Sequence, residues 1–225
     1  MALNEFISRS QRQRPQAQEY YRKYFEDVVR SPYNCGKELL LQAFLFFNIK
    51  EYFPLCTDIL LFENSPDCLG NTHLGKCDFV YLTNQDSIFL IETKFIDTQT
   101  TGKTARKRRN AHRNKVIEQV TNLREQFKKY WDIPREQIKC GVFTTDPQLT
   151  SPGFSLNIAL NSISISSLEE WQKNKLDEDI DEDIDIYDNQ RILDLVWDYA
   201  FGCEVCWDTE SCKRLGFCFL DLSDD

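Results

Sequence analysis

Histidine is almost missing from this chain. Among its 225 residues only His73 and His112 carry an imidazole. Two histidines so placed support no Ser-His-Asp or Cys-His arrangement, which sets aside the usual nucleophilic hydrolases. His73 sits just ahead of a hairpin pattern described below, where a lone loop histidine is ordinarily a surface residue. Glycine is scarce as well. Its eight residues are scattered and form neither a phosphate-cradling Walker loop nor a dinucleotide fingerprint. No apolar run reaches the roughly eighteen residues that a membrane-spanning helix requires. The opening stretch, MALNEFISRSQRQRPQ, has neither the apolar segment nor the cleavage site of a secretory signal. No internal repeat is present. Together these absences lead us to expect a cytoplasmic protein with no membrane partner.

Cysteine, by contrast, is plentiful. The chain has nine, an odd number, and a reducing compartment keeps thiols free. A disulfide framework is therefore not expected. Aromatic residues are abundant too, with sixteen Phe and nine Tyr, enough to build a large core per residue.

The formal net charge is −9, which taken as an average disfavours nonspecific attraction to nucleic acid. Its distribution says more. KTARKRRNAHRNK, residues 103–115, holds seven Lys or Arg and no acid, while residues 177–188, DEDIDEDIDIYD, hold eight acids and no base. Without the acidic run the chain is close to neutral, so no face can be judged from the average.

Apolar periodicity gives the outline. Residues 17–30, AQEYYRKYFEDVVR, have helical spacing, and Ser31-Pro32 ends the pattern. A second helix is predicted over about 36–48, a strand over 57–63 and a turn-rich loop over 64–75. CDFVYLT and SIFLIETKF flank Asn84-Gln85-Asp86 as a β-hairpin. The basic stretch 103–115 reads as part loop and part helix start. The helix then runs to about Trp131 with Val116, Val120, Leu123, Phe127 and Tyr130 in one apolar stripe. IKCGVFTT, 138–145, reads as a buried strand, and 154–166 as further extended segments. Ser167-Leu-Glu-Glu170 has the form of a capping box opening another helix. The acidic run reads as a linker, followed by a helix over 188–201 and a tail with four cysteines. The expected divisions are 1–175, 176–188 and 189–225, and the succession of elements predicts a mixed α/β core.

Three charges interrupt the hairpin. Glu92 and Lys94 are two apart and so share a strand face. A three-residue loop pairs Thr83 with Ser87 and, counting back, sets Asp78 opposite Glu92. Opposed carboxylates repel unless a cation lies between them, and Mg²⁺ favours such oxygen donors. An exposed edge strand would also tolerate an E-x-K triplet, but the flanks FLI and KF suit a central strand, where stray charges are costly.

Asp78 followed by Glu92-Thr93-Lys94 on the next strand resembles the PD-(D/E)XK nuclease superfamily. Glu38, in GKELLLQAF, matches the acid contributed by a preceding helix, and the resemblance covers roughly residues 33–145. Cys77 stands where the superfamily's proline would be. The resemblance implies a restriction-endonuclease-like α/β core, a mixed central sheet flanked by helices, and hydrolysis of phosphodiester bonds with Mg²⁺ or Mn²⁺. Asp78, Glu92 and Lys94 would be catalytic, with Glu38, Asp78 and Glu92 toward metal and the Thr93 carbonyl as an extra ligand. Gly75-Lys-Cys-Asp78 and Gln126-Phe-Lys-Lys-Tyr130 are similar to the G-x-x-D and Q-x-x-x-Y patterns of the RecB-like branch. Cys203-x2-Cys206-x5-Cys212 is similar to the spacing of its iron–sulfur members, with Cys35 as the upstream fourth ligand. Cys218 and the other tail cysteines otherwise read as structural thiols or a Zn²⁺ site. Arg106, Lys107, Arg108, Arg109 and Gln119 are candidates for contacting nucleic acid, with DNA expected and RNA left open. A stand-alone enzyme of restriction or defence type, acting as a homodimer, is the leading expectation. An iron–sulfur exonuclease and a binding module with a decayed nuclease core are the alternatives.

Overall fold

A computed structural model describes residues 2–30, 36–68, 75–148 and 158–178. The acidic run beyond 178, the helix expected over 188–201 and the cysteine tail lie outside these residues, as do Cys35 and His73.

The described strands are β1 (Cys56–Asn64), β2 (Cys77–Thr83), β3 (Ile88–Lys94), β4 (Ile138–Thr144) and β5 (Ile158–Ser162). They form one mixed sheet in chain order. β1, β2 and β3 are antiparallel neighbours, whereas β3, β4 and β5 run parallel. The helices are α1 (Ala2–Gln13), α2 (Ala17–Arg30), α3 (Lys37–Phe47), a single turn α4 (Ile49–Tyr52), α5 (Lys103–Trp131) and α6 (Ile165–Glu178). A parallel pair needs a crossover, and α5 supplies it between β3 and β4.

The β2–β3 hairpin closes as counted from the sequence. Thr83 N–H donates to Ser87 O at 2.9 Å, and Asp86 takes the left-handed conformation, φ 49°, that commonly ends a three-residue loop. The ladder continues through Leu82↔Ile88 to Phe79↔Ile91.

Period-two alternation sends the two sets of strand side chains into different layers. Val80, Ile88, Leu90, Cys140 and Val142 share one core with Val116, Val120, Leu123 and Phe127 of α5 and Phe6 of α1. The opposite layer is aromatic. Phe62, Phe79, Phe89 and Phe143 meet rings from α2, α3 and the α4 region, among them Phe25–Phe62 at 4.9 Å and Phe53–Phe89 at 5.3 Å between centroids. Such pairs contribute roughly 0.5–1.5 kcal/mol each beyond the area they bury.

Several expectations need correction. Residues 103–115 are helical throughout, so the basic stretch is the start of α5 and not partly loop. Like charges and the helix dipole oppose this, but two tethers hold it. Arg109 Nη1 donates to Thr100 O at 2.7 Å, and Arg113 Nη2 pairs with the buried Asp146 at 2.5 Å. Tyr130 is 47 % exposed and does not belong to the apolar stripe. The next residue, Trp131, is buried instead and donates from Nε1 to Pro66 O. The extended segment ends at Ser162, not 166, because α6 starts at Ile165, two residues before the predicted cap Ser167. Its capping oxygen is Ser164 Oγ, which accepts from Ser167 N–H at 3.1 Å. Finally, α1, for which no element was predicted, packs Phe6 edge-on against Phe127 and Trp131, each at 5.4 Å.

Candidate active site

The antiparallel pair β2–β3 forks where the charges sit. Its ladder stops at Phe79↔Ile91, yet β2 continues against β1 to Cys77 and β3 continues against β4 to Lys94. A fork in mid-sheet strips backbone N–H groups of their partners, and buried N–H groups need replacements. The acids supply them reciprocally. Asp78 N–H reaches Glu92 Oε1 at 3.3 Å, and Thr93 N–H donates to Asp78 Oδ2 at 2.7 Å. The Thr93 hydroxyl donates to the same Oδ2 at 2.6 Å.

A third acid stands beside them. β1 and β2 pair through Phe62↔Phe79 and Asn64↔Cys77, a register that sets Glu63 opposite Asp78. Glu63, Asp78 and Glu92 therefore lie side by side on three neighbouring strands. Glu63 Oε1 accepts a long bond, 3.5 Å, from Gln42 Nε2 of α3. Sequence reasoning missed Glu63 because it reads as the last residue of an apolar strand. The twelve-residue stretch 64–75 leaves the β1–β2 register open, and no local pattern gives it.

The electrostatics follow from burial and crowding. Burial pushes the Asp78 carboxyl up to about 6, opposed by the two Thr93 bonds and reinforced by the charges of Glu63 and Glu38. Glu92 is 4 % exposed, and burial followed by the Asp78 charge holds its carboxyl well above the usual range. The thiol of Cys77, in the position of the expected proline, is fully buried and pushed far up by burial and by the Glu92 and Asp78 charges. It is an inert core group, not a nucleophile.

Lys94 Nζ goes to Glu38, bonding Oε1 at 2.6 Å and Oε2 at 2.8 Å. Both side chains keep partial solvent access, 27 % for Lys94 and 44 % for Glu38. A pair so exposed contributes about 0–1 kcal/mol, so either partner is readily exchanged for another. Glu38 also adds to the negative potential felt by Asp78 and Glu92. The helix acid and the E-x-K lysine are thus brought to the same corner as the strand acids.

Among the described residues, no group of three or more His, Cys, Asp or Glu side chains is arranged as a ready-made metal cage. Glu38 is turned onto Lys94 and Asp78 Oδ2 onto Thr93. Mg²⁺ does not require such a cage, because it commonly uses one or two carboxylates together with substrate phosphate and water. Hard oxygen donors brought close together, with carboxyls raised first by burial and then by neighbouring charge, are compatible with that chemistry.

Of the nucleic-acid candidates, Arg106, Lys107 and Arg108 are exposed on the first turns of α5, the element that follows β3. Arg109 is tied to Thr100, and Arg113 is committed to Asp146 through Nε at 2.8 Å as well. Gln119 is exposed farther along the helix. Gln126 is the glutamine that approaches the site strand. Its Oε1 is buried without a hydrogen-bond partner and lies 3.9 Å from where a side chain on Gly75 would begin. Gly75 itself is left-handed, φ 71°, and turns the chain into β2. Tyr130, the other half of the Q-x-x-x-Y pattern, faces solvent. The candidate cluster ligands Cys203, Cys206, Cys212 and Cys218 lie outside the described residues. Comparison with family models, curated proteins and solved structures finds no match to this chain.

Proposed function

We propose that this chain is a metal-dependent nuclease with a restriction-endonuclease-like core, hydrolysing phosphodiester bonds, with DNA as its substrate. The observation that carries the reading is the fork between β2 and β3. It gathers Asp78 and Glu92 from adjoining strands and sets Glu38 and Lys94 at the same corner. Like charges on neighbouring strands destabilise a sheet, and a bound cation would offset that cost. A mixed five-stranded sheet flanked by helices is compatible with the α/β core that the resemblance implies.

In this reading Asp78 and Glu92 would hold a divalent cation, and Glu38 would contribute to a second cation or to solvent at the first. When bound, the cation supplies a water of lowered pKa and polarises the phosphoryl oxygen. Lys94, once free of Glu38, orients the attacking water and donates hydrogen bonds to the negative charge that develops on phosphorus oxygens. The exposed cations of α5 steer and hold the phosphate backbone.

The test is cleavage of plasmid and single-stranded DNA with Mg²⁺ or Mn²⁺. The parent should cut, and chelation should stop it. Asp78→Asn and Lys94→Ala should each lose about 10²–10⁴-fold in rate, the range attached to a positioned proton-transfer or charge-stabilising group. DNA binding without cleavage by the parent would favour a binding module instead. Equal cutting by parent and variants would remove the assignment of these residues.

A further inference from the structure

One carboxylate oxygen at the fork is held twice by a single residue. Asp78 Oδ2 accepts the Thr93 N–H at 2.7 Å and the Thr93 hydroxyl at 2.6 Å. Among the described residues Asp78 Oδ1 makes no hydrogen bond, and it lies on the side chain that Glu92, Glu63 and Glu38 surround electrostatically. Thr93 is 3 % exposed, and its β-branched side chain has few rotamers to choose from. The clamp is therefore stiff. The backbone bond alone satisfies the N–H that the fork would otherwise strand. The hydroxyl bond adds nothing to that task, but it fixes the rotation of the carboxylate.

We infer that Thr93 is a positioning residue of the candidate active site: its hydroxyl locks Asp78 through Oδ2 and leaves Oδ1 as the oxygen that would serve a cation. This rests on the nuclease reading above and deepens it. It gives the middle position of Glu92-Thr93-Lys94 a side-chain role in addition to the carbonyl role that the resemblance implies. Partners that orient a metal-binding carboxylate without touching the metal change affinity by about 10–100-fold when removed.

Thr93→Val removes the hydroxyl, keeps the shape and leaves the backbone N–H in place; Thr93→Ser keeps the hydroxyl. Calorimetric titration with Mn²⁺ alone, without nucleic acid, is the primary measurement. Thr93→Val should bind Mn²⁺ about 10–100-fold more weakly than the parent, and Thr93→Ser should stay close to the parent. Thermal melting without metal reports whether each variant is folded. A clamp that only completes the fork would lower the metal-free melting temperature of Thr93→Val and leave Mn²⁺ affinity unchanged. That result, with Asp78→Asn losing Mn²⁺ binding, would overturn the role of Thr93 while sparing the nuclease reading. A parent protein that binds no Mn²⁺ would overturn both.

Discussion

At Asp78 the fold holds a proton that the unfolded chain would release. Its carboxyl rises from 3.8 to about 6, through burial first, with Glu63 and Glu38 adding charge and Thr93 opposing. The folded state then binds that proton more tightly than the unfolded state does. Linkage fixes the sign: the contribution is fully present below the unfolded value, 3.8, and is lost as pH climbs through about 6. A displacement of about two units corresponds to roughly 3 kcal/mol at most. Glu92, also raised by burial and by Asp78, carries the decline to higher pH. Asp97 acts in the opposite sense. Its carboxyl is lowered by bonds from Thr100 and from the Gln99 N–H, so it supplies stability above its unfolded value and loses it only at lower pH, outside this window. Without metal, the urea midpoint should fall between about pH 4.5 and pH 6.5, and Asp78→Asn should flatten most of that slope. An unchanged slope in the variant would place the titration elsewhere. Cation binding requires the ionised acids, so metal affinity should rise across the same interval in which metal-free stability declines.

Elements with a strong local signal were legible from the letters. α2 occupies the predicted 17–30, and the hairpin register follows from one loop length. What failed depends on distant partners. α1 has only two buried apolar side chains, Leu3 and Phe6, and Phe6 gains its meaning from Phe127 and Trp131, far along the chain. Ser162–Ser166 alternates like a strand, yet Ile165 and Leu168, three apart, share a helix face and are both buried. The acids of the site were legible where a short hairpin linked them, and Glu63 was not, because a long loop did. The basic start of α5 shows the same limit. Repulsion and dipole argue for a frayed end, and only the tethers to Thr100 and Asp146 make it a helix. Once ordered, that end carries Arg106, Lys107 and Arg108 into solvent. Replacing all three by Ala relieves the clash with the helix dipole, so circular dichroism should show helix content kept or raised. Binding to DNA, followed by fluorescence anisotropy, should weaken, and its dependence on salt should become shallower by about 0.7–0.9 for each phosphate that is no longer neutralised. Identical salt slopes for parent and triple variant would show that these side chains do not meet phosphate.

Among the described residues, the sheet separates two layers of different grain: its strands turn aliphatic side chains to α5 and aromatic ones to α2 and α3. Gly141 lies in the middle of β4, opposite Ile91 of β3 and Ala159 of β5, where the aromatic layer presses closest. A side chain begun there would stand 2.6 Å from Phe53 Cε1 and 2.7 Å from Phe89 Cε1. Both rings are buried and meet edge to face, so neither can swing away without disturbing the other. The glycine is required by this close approach and not by its backbone angles, since it does not adopt a positive φ. Overpacking of this kind costs about 1–3 kcal/mol. At roughly 2–4 °C per kcal/mol for a domain of this size, Gly141→Ala should lower the melting temperature by about 2–12 °C. Phe53→Leu removes the ring that would be struck and destabilises through the volume it vacates. In that background the added methyl has room, so Gly141→Ala should cost less than it does alone, and the double-mutant cycle should give a favourable coupling of about 0.5–3 kcal/mol. Strict additivity would mean that the two groups do not compete for space, and the layer would then be looser than its ring geometry describes.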